Sequence, residues 1–151
     1  MATDNPFSGS IVPDTSVVLK WFLHEGETGR EQALVLRHAY LEGHAQLLAP
    51  DLLLYEAANV LCYKPDWDAS RVTQAIHTLL ALKLQVIPVS LPLLQRAVEL
   101  AYQYNLAVYD ASFVALAEEN QAIFITADQK AVRGLKELPH VRSLTDALAS
   151  D

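Results

Sequence analysis

The sequence predicts an α/β domain built around a mostly parallel β-sheet of four to five strands. Along the 151 residues, short apolar segments alternate with longer segments whose apolar residues recur at helical spacing. The strand-like segments are continuously apolar, as expected for strands that are buried on both faces of a parallel sheet. Hydrophobic residues make up 52% of the chain, and its length suits a single domain with one core.

In the first half of the chain, a strand is predicted at residues 10–13 and a helix at 17–24. A second helix is predicted at residues 30–42, and Pro50 closes a second strand at 46–49. Asp51 is expected to cap a helix that runs to about residue 63, because Pro65 cannot continue it. The amphipathic pattern of residues 68–82 indicates a further helix.

The second half continues the same alternation. A strand at 84–89 precedes a helix at 90–104, with Ser90 as its N-cap and Pro92 in its first turn. Residues 106–109 lead to Asp110, which is expected to open a helix at 111–120. The remaining elements are predicted as a strand at 122–126, a helix at 129–135, a strand at 141–144 and a helix at 145–150.

Residues 1–10 lack the apolar core of a signal peptide and are predicted to form a flexible N-terminal tail. The domain is expected to span residues 11–151. No stretch approaches the roughly 20 apolar residues of a membrane span, so no contact with a membrane is expected. Cys62 is the one cysteine, which excludes an internal disulfide and agrees with a cytoplasmic location.

Four carboxylates are candidates for one site. Asp14, Asp110 and Asp128 follow apolar segments at or near helix starts, and the carboxyl ends of parallel strands meet at one sheet edge. Glu56 lies inside a predicted helix, and Asn59 shares its face. Taken singly, each Asp would serve equally well as a helix cap and Glu56 as a surface acid. Their joint placement favours a divalent-cation site, because crowded carboxylates repel one another and Mg²⁺ prefers oxygen ligands.

Other kinds of site are not supported. The five histidines are scattered and there is a single cysteine, so no zinc-ligand spacing is present. The sequence contains no GxGxxG, P-loop or GxSxG motif. Ser16 and Ser112 lie near the candidate acids, but no histidine lies close in sequence to activate either hydroxyl. A serine nucleophile is therefore not expected.

Four blocks of sequence carry these acids in order: VPDTSVVLKW at residues 12–21, APDLLLYEAANVL at 49–61, YDASFVALAE at 109–118 and ITADQK at 125–130. Together they resemble the motifs of PIN-domain nucleases. The resemblance is strongest to the VapC-like ribonuclease toxins of prokaryotic type II toxin–antitoxin pairs, and it spans residues 11 to about 144. Pro13 departs from the family, which usually has another apolar residue there. Because proline lacks a backbone donor, we expect a local change in strand pairing.

The resemblance implies a PIN-like three-layer α/β/α fold and Mg²⁺-dependent cleavage of RNA phosphodiester bonds, with Mn²⁺ able to replace Mg²⁺. It also implies a homodimer and inhibition by a cognate antitoxin. Asp14, Glu56, Asp110 and Asp128 match the family's acidic positions and are expected to bind metal and to act in catalysis. The polar positions that usually support these acids are matched by Thr15, Ser16, Asn59, Ser112 and Thr126.

Lys20, Lys130 and Arg133 are the basic residues nearest to the acids in sequence and are predicted to bind RNA phosphates. Each would equally well be an ordinary solvated helix charge. The net charge of −7 argues against broad binding of nucleic acid, so we expect selective cleavage rather than general degradation.

Two alternatives remain open from the sequence. A metal-dependent phosphatase or a structure-specific DNA nuclease would use the same carboxylates, although the small size favours RNA. A catalytically inactive PIN-fold binding module is the second alternative. The presence of all four acids counts against it, because degenerate sites usually lose some of them.

Overall fold

The computed structural model describes residues 6–24 and 28–146. Its five strands form one sheet and pair in parallel throughout, which confirms the predicted parallel sheet. The strands are Gly9–Pro13 (β1), Ala45–Pro50 (β2), Gln85–Ile87 (β3), Ile123–Thr126 (β4) and Val141–Ser143 (β5).

Helices cover both faces of this sheet. Neighbouring residues of β1 point to opposite faces, and Ile11 and Val12 are both buried, so the predicted α/β/α layering is confirmed. The α-helices are Thr15–Val18 (α1), Arg30–Leu41 (α2), Leu52–Cys62 (α3), Ala69–Ala81 (α4), Leu91–Tyr104 (α5), Val108–Glu119 (α6) and Gln129–Gly134 (α7). In the part of the chain that the structure describes, no helix is both long enough and apolar enough to cross a bilayer.

The order of the strands creates a crevice at the centre of the sheet. The order is β3-β2-β1-β4-β5, so the chain builds outward from β1 to β3 and then returns to the other side of β1 for β4. Ligands of open α/β sheets bind at such a reversal, outside the carboxyl ends of the two strands. Asp14 follows β1 and Asp128 follows β4 closely, so both acids lie at this crevice.

Pro13 changes the pairing of β1, as expected. The register with β4 extends to Pro13 opposite Ile125, whereas the register with β2 ends at Ile11 opposite Leu47. The amide of Asp14 donates to the carbonyl of Ile125 at 2.8 Å, and backbone amides alternate sides along a strand. The missing donor of Pro13 therefore faces β2, and the pairing with β4 is intact where the acids follow.

Several predicted boundaries are wrong. The first helix begins at Thr15, not residue 17, and tightens into a 3₁₀ turn over Leu19–Trp21. Asp51 precedes α3, but its side chain makes no cap hydrogen bond. The third expected strand is shorter than predicted and covers only β3. Asp110 follows no strand, because α6 begins at Val108 and places this acid in its own first turn.

The two ends of the chain are only partly described. Phe7 is buried, and Gly9 and Ser10 belong to β1, so the ordered domain begins before residue 11. Residues 1–5 of the predicted tail lie outside the described residues. The same holds for residues 147–151, which include most of the helix expected at 145–150.

Candidate active site

Asp14 is held in place by the ends of two neighbouring strands. Its Oδ1 accepts a hydrogen bond from the Thr15 amide at 2.9 Å, as a helix N-cap does. Its Oδ2 accepts from Ser16 Oγ at 2.8 Å and from Thr126 Oγ1 at 2.9 Å. Thr126 is fully buried at the end of β4, so the Asp14 carboxylate is tied to both strands that flank the crevice.

The same two hydroxyls fix the chain leading into α7. Ser16 Oγ accepts from the Ala127 amide at 3.2 Å, and Thr126 Oγ1 accepts from the Asp128 amide at 3.1 Å. Asp128 then caps α7, with its Oδ1 accepting from the Lys130 amide at 2.9 Å. Asp14 and Asp128 are therefore positioned relative to each other through two shared hydroxyl groups.

Glu56 reaches the crevice from the other side of β1. It lies in the second turn of α3, which begins just after β2, the neighbour of β1. Its Oε1 accepts a hydrogen bond from Thr15 Oγ1 at 2.8 Å. Thr15, next to Asp14 in sequence, thus connects Glu56 to the segment that carries the first acid.

Asp110 arrives at the crevice on a helix. A helix that precedes a parallel strand runs back from the carboxyl edge of the sheet, so its first turn lies at that edge. α6 precedes β4 and packs on β1, β2 and β4, which places Asp110 beside the other acids. Among the described residues, none donates a hydrogen bond to its exposed carboxylate.

Burial and mutual repulsion raise the pKa of three of these acids. Desolvation is the main cause at Asp14, where hydrogen bonds from Ser16 and Thr126 oppose it and the charge of Asp110 adds to it. Desolvation also raises the pKa of Glu56, with further contributions from the charges of Asp14 and Asp110. The pKa of Asp110 is raised by desolvation and by the charge of Asp128. All four acids therefore belong to one electrostatically coupled group.

The donor set fits a hard divalent cation. It consists of carboxylate oxygens whose charges repel one another, which is the situation that a bound cation relieves. As placed, however, no three Asp, Glu, His or Cys side chains within residues 6–24 and 28–146 converge closely enough to hold an ion. Binding would therefore require rotation of the side chains or ligation through water, which Mg²⁺ commonly retains.

A cavity of about 730 Å³ adjoins the acids, and we call it the trench. One wall is α7, and the other is the junction between α5 and α6. Asp14, Asp110 and Asp128 line the trench, whereas Glu56 does not. The exposed basic side chains of Lys130 and Arg133 also line the trench, as their predicted role requires.

Two predicted site residues make no hydrogen bond to the acids among the described residues, and a third does not line the trench. Ser112 Oγ donates to the carbonyl of Val108 at 2.8 Å, within its own helix. Asn59 is exposed one turn beyond Glu56, and we find no hydrogen bond from it to another described residue. Lys20 is only 8% exposed and does not line the trench. Lys20 belongs to the 3₁₀ turn that follows the short α1, and its predicted contact with RNA phosphate stays a prediction.

Part of the lining of the trench was not anticipated from the sequence. It includes Tyr104 and Asn105 from the end of α5 and Gly134 from the end of α7. An Asn directly after a helical segment is a typical left-handed cap, and Asn105 has φ 55°. That signal was present in the sequence, but it indicates a helix end and not a binding surface.

The fold and site together define a small α/β domain with a group of carboxylates at the reversal point of a parallel sheet. The chain belongs to the PIN-domain family, whose model matches residues 11–136 and includes all four acids. This membership places it among nucleases, hydrolases that act on nucleic acid, and PIN-domain nucleases generally use divalent metal ions. No curated protein sequence matches the chain.

Solved structures share this fold at low sequence identity. A toxin–antitoxin complex from Klebsiella pneumoniae is 21% identical, with a TM-score of 0.64 over 89% of this chain and 97% of that one. VapBC2 from Rickettsia felis, bound to a DNA fragment from its promoter, is 11% identical, with a TM-score of 0.64 over 89% and 98%. VapC20 from Mycobacterium tuberculosis, described as a toxin that cleaves the sarcin–ricin loop, is 16% identical, with a TM-score of 0.60 over 78% and 87%.

Proposed function

We propose that this protein is a Mg²⁺-dependent endoribonuclease that acts as the toxin of a toxin–antitoxin pair. The observation that carries the proposal is the electrostatic coupling of Asp14, Glu56, Asp110 and Asp128 at the crevice between β1 and β4. The PIN-domain match supports a nuclease, and the toxins among the similar structures support the choice of RNA and of a toxin. Such a toxin would act in the cytoplasm.

The roles of the side chains follow from their placement. Asp14 is oriented by three hydrogen bonds, so it would present its remaining lone pairs in a fixed direction. Asp110 has a free carboxylate at the mouth of the trench and would complete the ligand set. Mg²⁺, or Mn²⁺ in its place, would supply positive charge that activates a water and offsets the charge of the phosphate.

Either Glu56 or Asp128 would orient and deprotonate the attacking water. Glu56 is held through Oε1 alone, which leaves Oε2 to accept a proton. Asp128 likewise uses only Oδ1 as a cap. Lys130 and Arg133, on the wall of the trench, would hold the phosphates of the RNA on either side of the cut.

Two protein partners complete the proposal. The similar structures from Klebsiella pneumoniae and Rickettsia felis are complexes with antitoxins, which supports an antitoxin for this chain. A homodimer is supported by an exposed apolar face on α5. Four large apolar side chains recur on this side of the helix, and each is at least 38% exposed. They are Leu91 (77%), Leu94 (40%), Val98 (38%) and Tyr102 (88%).

The activity is tested on total bacterial RNA with Mg²⁺ or Mn²⁺, with the new 5′ ends located by sequencing. We expect discrete cuts that disappear with EDTA and fall at least about 100-fold in Asp14→Asn and Asp110→Asn. Asp51→Asn, an acid at the same sheet edge outside the coupled group, should retain full activity. Cuts that persist in Asp14→Asn would overturn the proposal.

The same assay separates the alternatives. Cleavage of flapped or single-stranded DNA, or of a phosphomonoester, in place of RNA would assign a different hydrolase to these carboxylates. Absence of every activity, together with no heat of Mn²⁺ binding by calorimetry, would indicate a PIN-fold binding module without catalysis.

A further inference from the structure

The helix α7 cannot hold its own position. It is six residues long, and none of its residues is buried. Helices this short are not stable by themselves in water, so contacts outside the helix must fix α7 in place. Its position bears on the site, because α7 begins directly after Asp128 and carries Lys130 and Arg133 along the wall of the trench.

The side chain of Gln129 makes such a contact at the start of α7. Its Nε2 donates to Ser143 Oγ at 2.9 Å and to Thr145 Oγ1 at 3.4 Å, so the two N–H groups of the amide reach two hydroxyls. These two hydroxyl oxygens are themselves 2.9 Å apart. Ser143 is the last residue of β5 and is 2% exposed. We call these three side chains the clamp, since they join the first residue of α7 to the end of β5.

The clamp is anchored on the part of the sheet that orients the acids. Ser143 lies opposite Thr126 in the register of β4 and β5, and the amide of Leu144 donates to the carbonyl of Thr126 at 2.9 Å. The Thr126 hydroxyl in turn donates to Asp14 and accepts from the amide of Asp128. The end of β5 is therefore fixed relative to the first acid, and so is a side chain that is bound to it.

The direction of the Asp128 carboxylate depends on where α7 begins. Its Oδ1 accepts hydrogen bonds from the amides of Lys130 at 2.9 Å and Ala131 at 3.4 Å, both in the first turn of α7. A shift of that turn would therefore turn the carboxylate. Among the described residues, the Gln129 amide makes the only side-chain hydrogen bonds that join this turn to the sheet.

We propose that Gln129 is a positioning residue, which holds the first turn of α7 on the sheet through the clamp and thereby sets the direction of the Asp128 carboxylate. The proposal rests on the proposed ribonuclease function and deepens it. Gln129 does not line the trench, so it acts through Asp128 and not on the RNA itself. Its loss should therefore lower kcat and leave KM for RNA nearly unchanged.

The first experiment measures the clamp in the metal-free protein by amide hydrogen exchange. Gln129→Met keeps the length of the side chain and removes its hydrogen bonds. We expect exchange at the amides of Lys130 and Val132, which bond to Asp128, to become about fivefold faster, while α6 keeps its protection. Ser143→Ala should have the same effect, and the double variant should exchange no faster than either single one.

Gln74→Met is the matched control for this experiment. It makes the same change at an exposed residue of α4, and the Gln74 side chain makes no hydrogen bond to another described residue. Exchange in this variant should equal that of the wild type. Unchanged exchange of α7 in Gln129→Met would overturn the proposal.

The second experiment measures cleavage of RNA with Mg²⁺. In Gln129→Met we expect kcat to fall about tenfold and KM to change less than about twofold, whereas Gln74→Met should match the wild type. In an Asp128→Asn background, Gln129→Met should cause no further loss, because the residue through which it acts is already altered. A merely structural role would lower the rate in both backgrounds.

The outcomes separate this proposal from the proposed function. Equal kcat in Gln129→Met and the wild type, or a further tenfold loss in the Asp128→Asn background, would overturn the positioning role alone. A wild type that cuts no RNA would overturn the proposed function and with it any part of Gln129 in catalysis. The exchange experiment would then still decide whether the clamp holds α7.

Discussion

Thr15 Oγ1 donates a hydrogen bond to Glu56 Oε1 at 2.8 Å, across 41 residues of sequence. This contact joins the segment after β1 to the middle of α3 and is the one hydrogen bond found on the Glu56 carboxylate among the described residues. Because Thr15 is also next to Asp14, it sets the position of two acids of the group.

Loss of the Thr15 hydroxyl should therefore reduce activity without removing an acid. Thr15→Val keeps the shape of the buried side chain but leaves Glu56 without its donor, and we expect cleavage to fall about 10- to 100-fold. The free energy of unfolding should change by only about 1 kcal/mol. Thr15→Ser retains the hydroxyl and should restore most of the activity. Equal rates in Thr15→Val and the wild type would show that the contact does not position Glu56.

The metal-free protein should become more stable as the pH falls from neutral toward the ordinary range of carboxyl pKa values. Burial raises the pKa of Asp14, Glu56 and Asp110, so the folded chain binds these protons more tightly than the unfolded chain does. Their ionisation thus destabilises the fold at neutral pH, and the penalty disappears as the pH falls through the raised pKa values toward about 4.

Urea unfolding in EDTA across this pH range measures the effect. Asp110→Asn removes one of the repelling charges without breaking a hydrogen bond, so its stability should depend less steeply on pH than that of the wild type. A wild-type stability that rises with pH between 5 and 7 would contradict the prediction.

Divalent cations should stabilise the fold by relieving the same repulsion. With Mn²⁺ at about 100 times its dissociation constant, the gain is about 2.7 kcal/mol, or roughly 5–10 °C in the unfolding temperature of a chain of this size. In Asp110→Asn the shift should be much smaller at the same concentration. Ser112→Ala, at a residue bonded within its own helix, should show the full shift. Equal shifts in all three proteins would place the cation elsewhere.

Lys130 and Arg133 should each contribute one phosphate contact. In an inactive Asp110→Asn background, Lys130→Gln or Arg133→Gln should weaken RNA binding. Each should also make the slope of log K against log salt concentration shallower by about 0.7. Lys136→Gln removes an exposed charge beyond α7 that does not line the trench and should leave the slope unchanged. A common slope for all four proteins would show that neither residue contacts phosphate.

A charge on the exposed face of α5 should dissociate the proposed homodimer. Val98 lies in the middle of that face, and Val98→Glu would place a carboxylate in the apolar interface, raising the dimer dissociation constant at least tenfold. Gln103→Glu adds the same charge about a third of a turn away from the face. Sedimentation velocity distinguishes the two variants, and a wild-type monomer at all concentrations would rule out the dimer.

The sequence predicts the acids better than it predicts what surrounds them. Asp14 and Asp128 follow apolar strands directly, so the sheet topology alone brings them together. Asp110 reaches the same place in a different way, on the first turn of a helix, because α6 begins at Val108 and includes the end of the apolar segment before this acid. The sequence predicted the sheet edge at which Asp110 lies, but not the helix that positions it there.

Other features of the surroundings depend on geometry that the spacing of apolar residues does not report. Lys20 is buried in a 3₁₀ turn that replaces the predicted helix after a single α-helical turn. The Ser112 hydroxyl donates a hydrogen bond to the carbonyl of Val108 in its own helix, a contact set by local geometry. The trench is lined by residues from α5, α6 and α7, which come together only in the fold, and no local pattern in the sequence reports this.

The contact between Asp14 and Thr126 spans 112 residues, so the order of synthesis bears on activity. During translation the first acid is therefore made well before its partner on β4 and the fourth acid. A nascent or prematurely terminated chain therefore has no assembled site. A protein that cuts RNA would in this way remain harmless to the ribosome that makes it until β4 and Asp128 have been translated.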